Sequence, residues 1–80
     1  MLNRSGLTEY VIEALKANGG KASVLQVCRH IWTHHESKLR EAGDLLYTWQ
    51  YDVRWSAQKL RADGIMKSVN GNKHLPWELV

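Results

Sequence analysis

Eighty residues with 44% hydrophobic content and a net charge of +3 make one small folded domain. Its core is modest, because a chain of this length buries only about 60% of the surface its unfolded form exposes. The single cysteine excludes an internal disulfide and fits a reducing, cytoplasmic setting. No apolar run approaches the ~20 residues of a bilayer span and no signal-peptide pattern opens the chain, so no membrane partner is expected.

The whole chain, 1–80, reads as a single domain with a flexible start at about residues 1–5. The first helix begins near Thr8, a plausible N-cap followed by Glu9 in the first turn. Leu7, Val11, Ala14 and Leu15 recur at helical spacing, and Gly19-Gly20 ends the helix. "GGKAS" is a short connector that has room for one or two residues of β-bridge.

"SVLQ" (Ser23 to Gln26) is a capping box and starts the second helix. Val24, Cys28, Ile31, Trp32 and His35 share one face at 100° per residue, with Leu25 and Val27 flanking it. His30 and His34 point the other way. Residues 36–47, "ESKLREAGDLLY", are compatible with a short extra helix ending at Gly43 or with a structured loop. Leu39, Leu45 and Leu46 should enter the core in either case.

A third helix runs from about Thr48 or Trp49 to Asp63, with Trp49, Val53, Ser56, Ala57 and Leu60 on one face. Gly64 follows it as the residue that accepts a left-handed backbone, and Ile65 can pack back on the last turn. "IMKSV", "NG" and "NKHLPWELV" read as a β-hairpin turning at Asn70-Gly71. Pro76 lacks a ladder donor, so the last strand is an edge strand or begins near Trp77. The fold class is therefore α+β: three main helices followed by a two-stranded β-hairpin wing, the layout of a small winged helix-turn-helix.

The stretch "YDVRWSAQKLRADGIMKS…WEL" resembles the winged-helix domain at the N-terminus of Mrr-type restriction proteins. Val53, Trp55, Ser56, Leu60, Gly64, Ile65 and Trp77 occupy the places of that family's motif, and "LKANGGKASVLQV" is similar to its entry into the second helix. The resemblance covers most of the chain and implies a DNA-binding accessory domain. There is no room for a nuclease domain, so only the binding role carries over. A small free-standing regulator of bacterial or phage type fits.

Charge supports the same expectation. Arg54, Lys59, Arg61, Lys67 and Lys73 face a single acid, Asp63, between residues 54 and 74, which makes that window more positive than the whole chain. Arg54, Gln58 and Arg61 form a stripe along the flank of the third helix, and Gln50 continues it toward the N-terminus. Arg and Gln are side chains that read guanine and adenine edges in the major groove, so Gln50, Arg54 and Gln58 are the candidate base contacts. Lys59 and Arg61 are candidates for phosphate. Lys67, Lys73 and His74, with Asn70 and Asn72, surround the hairpin tip and could follow the phosphate backbone. Ser23, at the start of the second helix, could hold a phosphate. Each has a plainer reading: a solvated helix face, a solvated turn, a structural cap.

Tyr51 and Trp55 lie on the face opposite Val53. Either residues 36–47 cover them or they form a contact surface. An exposed Tyr51/Trp55 face would suit a protein partner, which is the alternative to double-stranded DNA. A homodimer is a third arrangement, since one small winged helix contacts few base pairs. Cys28, His30, His34 and His35 do not share a face, and a structural zinc site needs four ligands, so no metal and no cofactor is expected. No paired carboxylates, catalytic Ser/His/Asp set or phosphate-cradling loop is present, so no enzymatic activity is expected.

Overall fold

Asn3 starts the first helix. In the computed structural model, which describes residues 2–68 and 76–80, α1 spans Arg4–Ala17. The Asn3 side chain accepts a hydrogen bond from the Gly6 N–H at 3.1 Å, satisfying one of the free donors at the helix start. The helix therefore begins four residues before Thr8, within the stretch expected to be flexible, and Leu2 packs against the core. Leu7, Val11, Ala14 and Leu15 form its buried stripe.

After α1 the strand β1, Lys21–Ala22, leads into α2, Val24–Arg40. The capping box is complete: Gln26 N–H donates to Ser23 Oγ at 3.1 Å, and Ser23 N–H donates to Gln26 Oε1 at 2.8 Å. The helix kinks at His35, whose φ is −131° and ψ is 20°, and then continues through Glu36–Arg40. Residues 36–47 are thus neither a separate helix nor a loop. Their first part extends α2, a turn follows, and their last three residues open α3, Leu45–Ala62. An i,i+4 ion pair, Arg40 Nε to Glu36 Oε2 at 2.7 Å, and the fully buried Leu39 hold the extension in helical form.

The buried stripe of α2 is Val27, Ile31 and Leu39. Val24, Cys28 and Trp32 are half-buried, and Leu25 is exposed rather than flanking a buried face. α3 buries Trp49, Val53, Ser56, Ala57 and Leu60, as its spacing predicts, and also Asp52. It ends in a Schellman arrangement: Ile65 N–H donates to Leu60 O at 2.9 Å and Gly64 N–H to Arg61 O at 3.1 Å. This needs the left-handed backbone of Gly64, whose φ is +76°. Ile65 itself stays partly exposed, and Met66 is buried in its place.

β2, Trp77–Glu78, pairs antiparallel with β1, Lys21 opposite Glu78 and Ala22 opposite Trp77. Met66 bridges to Leu79 on the other side, with Lys67 N–H donating to Glu78 O at 2.8 Å and Val80 N–H to Ile65 O at 3.0 Å. β2 therefore begins where Pro76 predicts and lies between two neighbours rather than at an edge. Among the described residues the architecture is a small α+β arrangement of three helices and a two-stranded antiparallel sheet. The turn at Asn70-Gly71 and the residues Asn72, Lys73 and His74 lie outside the described residues. The core joins the α1 stripe to Val27, Ile31, Val53, Ala57, Leu60, Met66 and Trp77. Each large buried side chain contributes about 1.5–3 kcal/mol. Among the described residues no helix is long and apolar enough to cross a membrane.

Candidate nucleic-acid interface

α3 packs against α1 on one side and turns its other side to solvent. The outward residues are Tyr47, Gln50, Tyr51, Arg54 and Gln58, all exposed. Tyr47 is 85% exposed and Tyr51 76%, values high enough to leave both rings free for a partner. The structure thus brings the three candidate base contacts, Gln50, Arg54 and Gln58, onto one accessible face. Tyr47 joins them there. It falls three residues before Gln50 and four before Tyr51, a spacing that marks the same helix face, but it precedes the start expected for the third helix at Thr48 or Trp49.

The only carboxylate of α3 is turned away from this face. Asp52 is 5% exposed. Thr48 Oγ1 donates to its Oδ2 at 2.8 Å, and Arg4 Nε lies 3.2 Å from its Oδ1. The Arg4 guanidinium also lies over the Trp55 ring, 5.0 Å from its centre. Trp55 is therefore covered in part by α1, whereas the exposed Tyr51 is not covered by residues 36–47. Tyr51, Arg54, Trp55, Gln58 and Arg4 line one shallow cavity of about 330 Å³.

The first turn of α2 faces the same surface. Val24, Leu25 and Cys28 line a cavity of about 520 Å³ with Gln50, Tyr51 and Arg54. Ser23 immediately precedes that turn, with its hydroxyl engaged in the cap. Burial pushes the Cys28 thiol up from its ordinary range, against the pull of the Arg54 charge. Arg29, one turn further along α2, is exposed and lies in the neighbouring cavity with Leu25 and Gln50.

Among the described residues, the phosphate candidates Lys59, Arg61 and Lys67 are engaged elsewhere. Lys59, five residues past Arg54, lies ~140° around the helix axis, and its Nζ is 3.5 Å from Asp63 Oδ2. The Arg61 guanidinium lies over Trp77 at 5.9 Å, and its buried Nε has no hydrogen-bond partner among the described residues. Lys67 Nζ pairs with Glu78 Oε2 at 3.1 Å. By contrast, Arg29 and Arg54 make no ion pair among the described residues.

The histidines assemble elsewhere. His35 Nε2 lies 2.7 Å from Glu13 Oε2, and His30 Nε2 lies 3.6 Å from Glu13 Oε1. His35 stacks on Tyr10 with ring centres 3.7 Å apart. Helical spacing predicts an outward-facing His30; instead its side chain is 13% exposed and turned to Glu13 of α1. The His35 hydrogen bond, opposed by some desolvation, holds the Glu13 carboxyl below its usual range. Among the described residues no group of three or more His, Cys, Asp or Glu side chains is placed to hold a metal ion.

Comparison of the chain with protein-family models, curated proteins and solved structures finds no match.

Proposed function

We propose that this chain is a non-catalytic DNA-binding module of winged-helix type, which lays the outer face of α3 in the major groove of double-stranded DNA. The observation that carries this reading is the outer face of α3 itself. An 18-residue helix shows solvent two glutamines, an unpaired arginine and two tyrosines, and withdraws its one carboxylate behind Arg4. A helix face that serves only solubility normally mixes both signs of charge. A face meant for a polyanion loses affinity for every exposed acid.

Gln50, Arg54 and Gln58 would meet base edges, and Arg29, beside the first turn of α2, would meet a flanking phosphate. Lys67, Lys73 and His74 would act as a wing on the backbone. A small regulator or an accessory module of restriction type is the role that fits the family resemblance, and the single cysteine fits a cytoplasmic setting.

The test is an NMR titration of the labelled chain with a generic duplex at low salt, repeated at higher salt. Salt-sensitive shifts at Arg54, Gln58, Lys73 and His74 support the reading. No shift at low salt refutes it.

The exposure of Tyr47 and Tyr51 favours a second reading, a protein-interaction module that uses the Tyr51/Trp55 face, or a homodimer through it. In that case Tyr51→Ala disrupts binding more than Lys73→Ala, and salt has little effect.

A further inference from the structure

A groove runs between α2 and α3 beside the face already described. Its walls are Leu25, Cys28 and Trp32 from α2 and Leu46, Trp49 and Gln50 from α3, and it encloses about 380 Å³. The indoles of Trp32 and Trp49 stack at 6.0 Å and 8° in this wall. Leu25, 60% exposed, stands at its edge. The groove continues into the neighbouring cavity lined by Val24, Tyr51 and Arg54.

Two features of this groove point to its occupant. The walls are largely apolar and aromatic, which suits apolar side chains. The rim is cationic and free of carboxylates: Arg29 and Arg54 line the two connected cavities, no Asp or Glu does, and neither arginine makes an ion pair among the described residues. An apolar channel between unpaired guanidiniums is complementary to a segment with apolar anchors and acidic flanks. A second copy fits less well. Apposing two such rims about a twofold axis sets like charges against one another.

We propose that the α2–α3 groove is a docking site for an acidic, amphipathic peptide segment of a partner protein, whose apolar side chains seat against Trp32, Trp49 and Leu25 while its carboxylates engage Arg29 and Arg54. Gln50, Tyr51 and Arg54 belong to both surfaces. The peptide and duplex DNA therefore compete, a consequence that rests on the DNA reading, whereas the docking itself does not.

The probes are three synthetic helical peptides of one length. One has Leu and Trp at i, i+3, i+4 and i+7 with Glu and Asp elsewhere. The second replaces the acids with Lys, and the third replaces the apolar residues with Ser. The readouts are the alkylation rate of Cys28, the single cysteine, and the indole N–H shifts of Trp32 and Trp49.

At saturation the acidic apolar peptide slows alkylation at least tenfold and moves both indole signals. The Lys and Ser versions bind at least tenfold more weakly. The exposed double variant Arg29→Glu, Arg54→Glu, which leaves the core untouched, reverses the preference toward the Lys peptide. Equal binding of all three peptides, or protection by none, overturns the proposal. So does protection of Cys28 that rises with protein concentration alone, which assigns the groove to a second copy. Protection by duplex but by no peptide assigns it to nucleic acid. All peptide arms are run without DNA, so failure of duplex binding and failure of docking are read separately.

Discussion

Removing the Asp52 carboxylate by Asp52→Ala tests the pivot on which the outer face of α3 depends. The substitution deletes the hydrogen bond from Thr48 at 2.8 Å and the contact with Arg4 at 3.2 Å. The first contributes about 1 kcal/mol net. The second contributes less than about 1 kcal/mol, because Arg4 is 53% exposed and water screens the pair. The better helix propensity of alanine returns about 0.5 kcal/mol. The expected loss is about 1 kcal/mol, a fall in Tm of roughly 4–8 °C for a domain of this size. Thermal and urea unfolding measure it, and the double variant with Arg4→Ala isolates the pair, with a coupling of about 0.5–1 kcal/mol. Duplex affinity, read at a temperature where both proteins are folded, does not fall, since the carboxylate faces inward. A stability change under about 0.5 kcal/mol would refute the assigned packing. A clear loss of duplex affinity in the folded variant would show that Asp52 belongs to the binding surface.

Arg54→Ala weakens duplex binding by about 1–3 kcal/mol, whereas Lys59→Ala, on the far flank and paired with Asp63, changes it less than about twofold; fluorescence anisotropy at two salt concentrations compares them. Leu39→Ala destabilises by about 2–5 kcal/mol, because Leu39 is fully buried and belongs to the extended α2; denaturant titration shows it, and a loss under about 0.5 kcal/mol would mean residues 36–40 contribute nothing to the core. Glu13, held below the ordinary carboxylate range chiefly by its hydrogen bond to His35, stabilises the fold above about pH 4.3. That stability is lost as pH falls through the lowered value, because the unfolded chain binds the proton first. Denaturation midpoints across the acid range therefore fall less steeply in Glu13→Gln than in the parent.

What could be read from the sequence was what local chemistry decides. The Ser23–Gln26 cap and the Gly64 stop depend on residues within a few positions of each other, and both form as their residue types predict. The α3 core face follows from helical spacing alone. The failures share a different cause. Nothing local marks Asp52 for burial, because its partner, Arg4, is remote in sequence. His30 and His35 point apart on an ideal helix, and they meet on Glu13 with the α2 backbone broken at His35. Leu39 is the one apolar residue in the polar run 36–41, and Gly43 follows it, which hides the eight-residue interval from Ile31 to Leu39 that marks a continuing stripe. Lys59 and Arg61 looked like part of a basic field. In the folded chain one is paired with Asp63 and the other is laid over Trp77.

The pairing of β1 with β2 has a consequence for how the chain folds. It joins residue 21 to residue 78, so these strands cannot meet as a local hairpin meets. The entropy of closing so long a loop must be offset first, by helices that bring the two ends together. Two strands of two residues have little stability of their own. The sheet is then a late event, a latch that closes once α1, α2 and α3 have packed. Its amides report on that order. The Leu79 N–H, bonded to Gly20 O at 2.8 Å, should exchange with solvent either when the latch alone opens or when the whole domain unfolds. Exchange of Leu79 at the rate of the α1 core amides would mean that latch and helices form one cooperative unit. Faster exchange would mean that the C-terminal strand opens while the helical body stays intact.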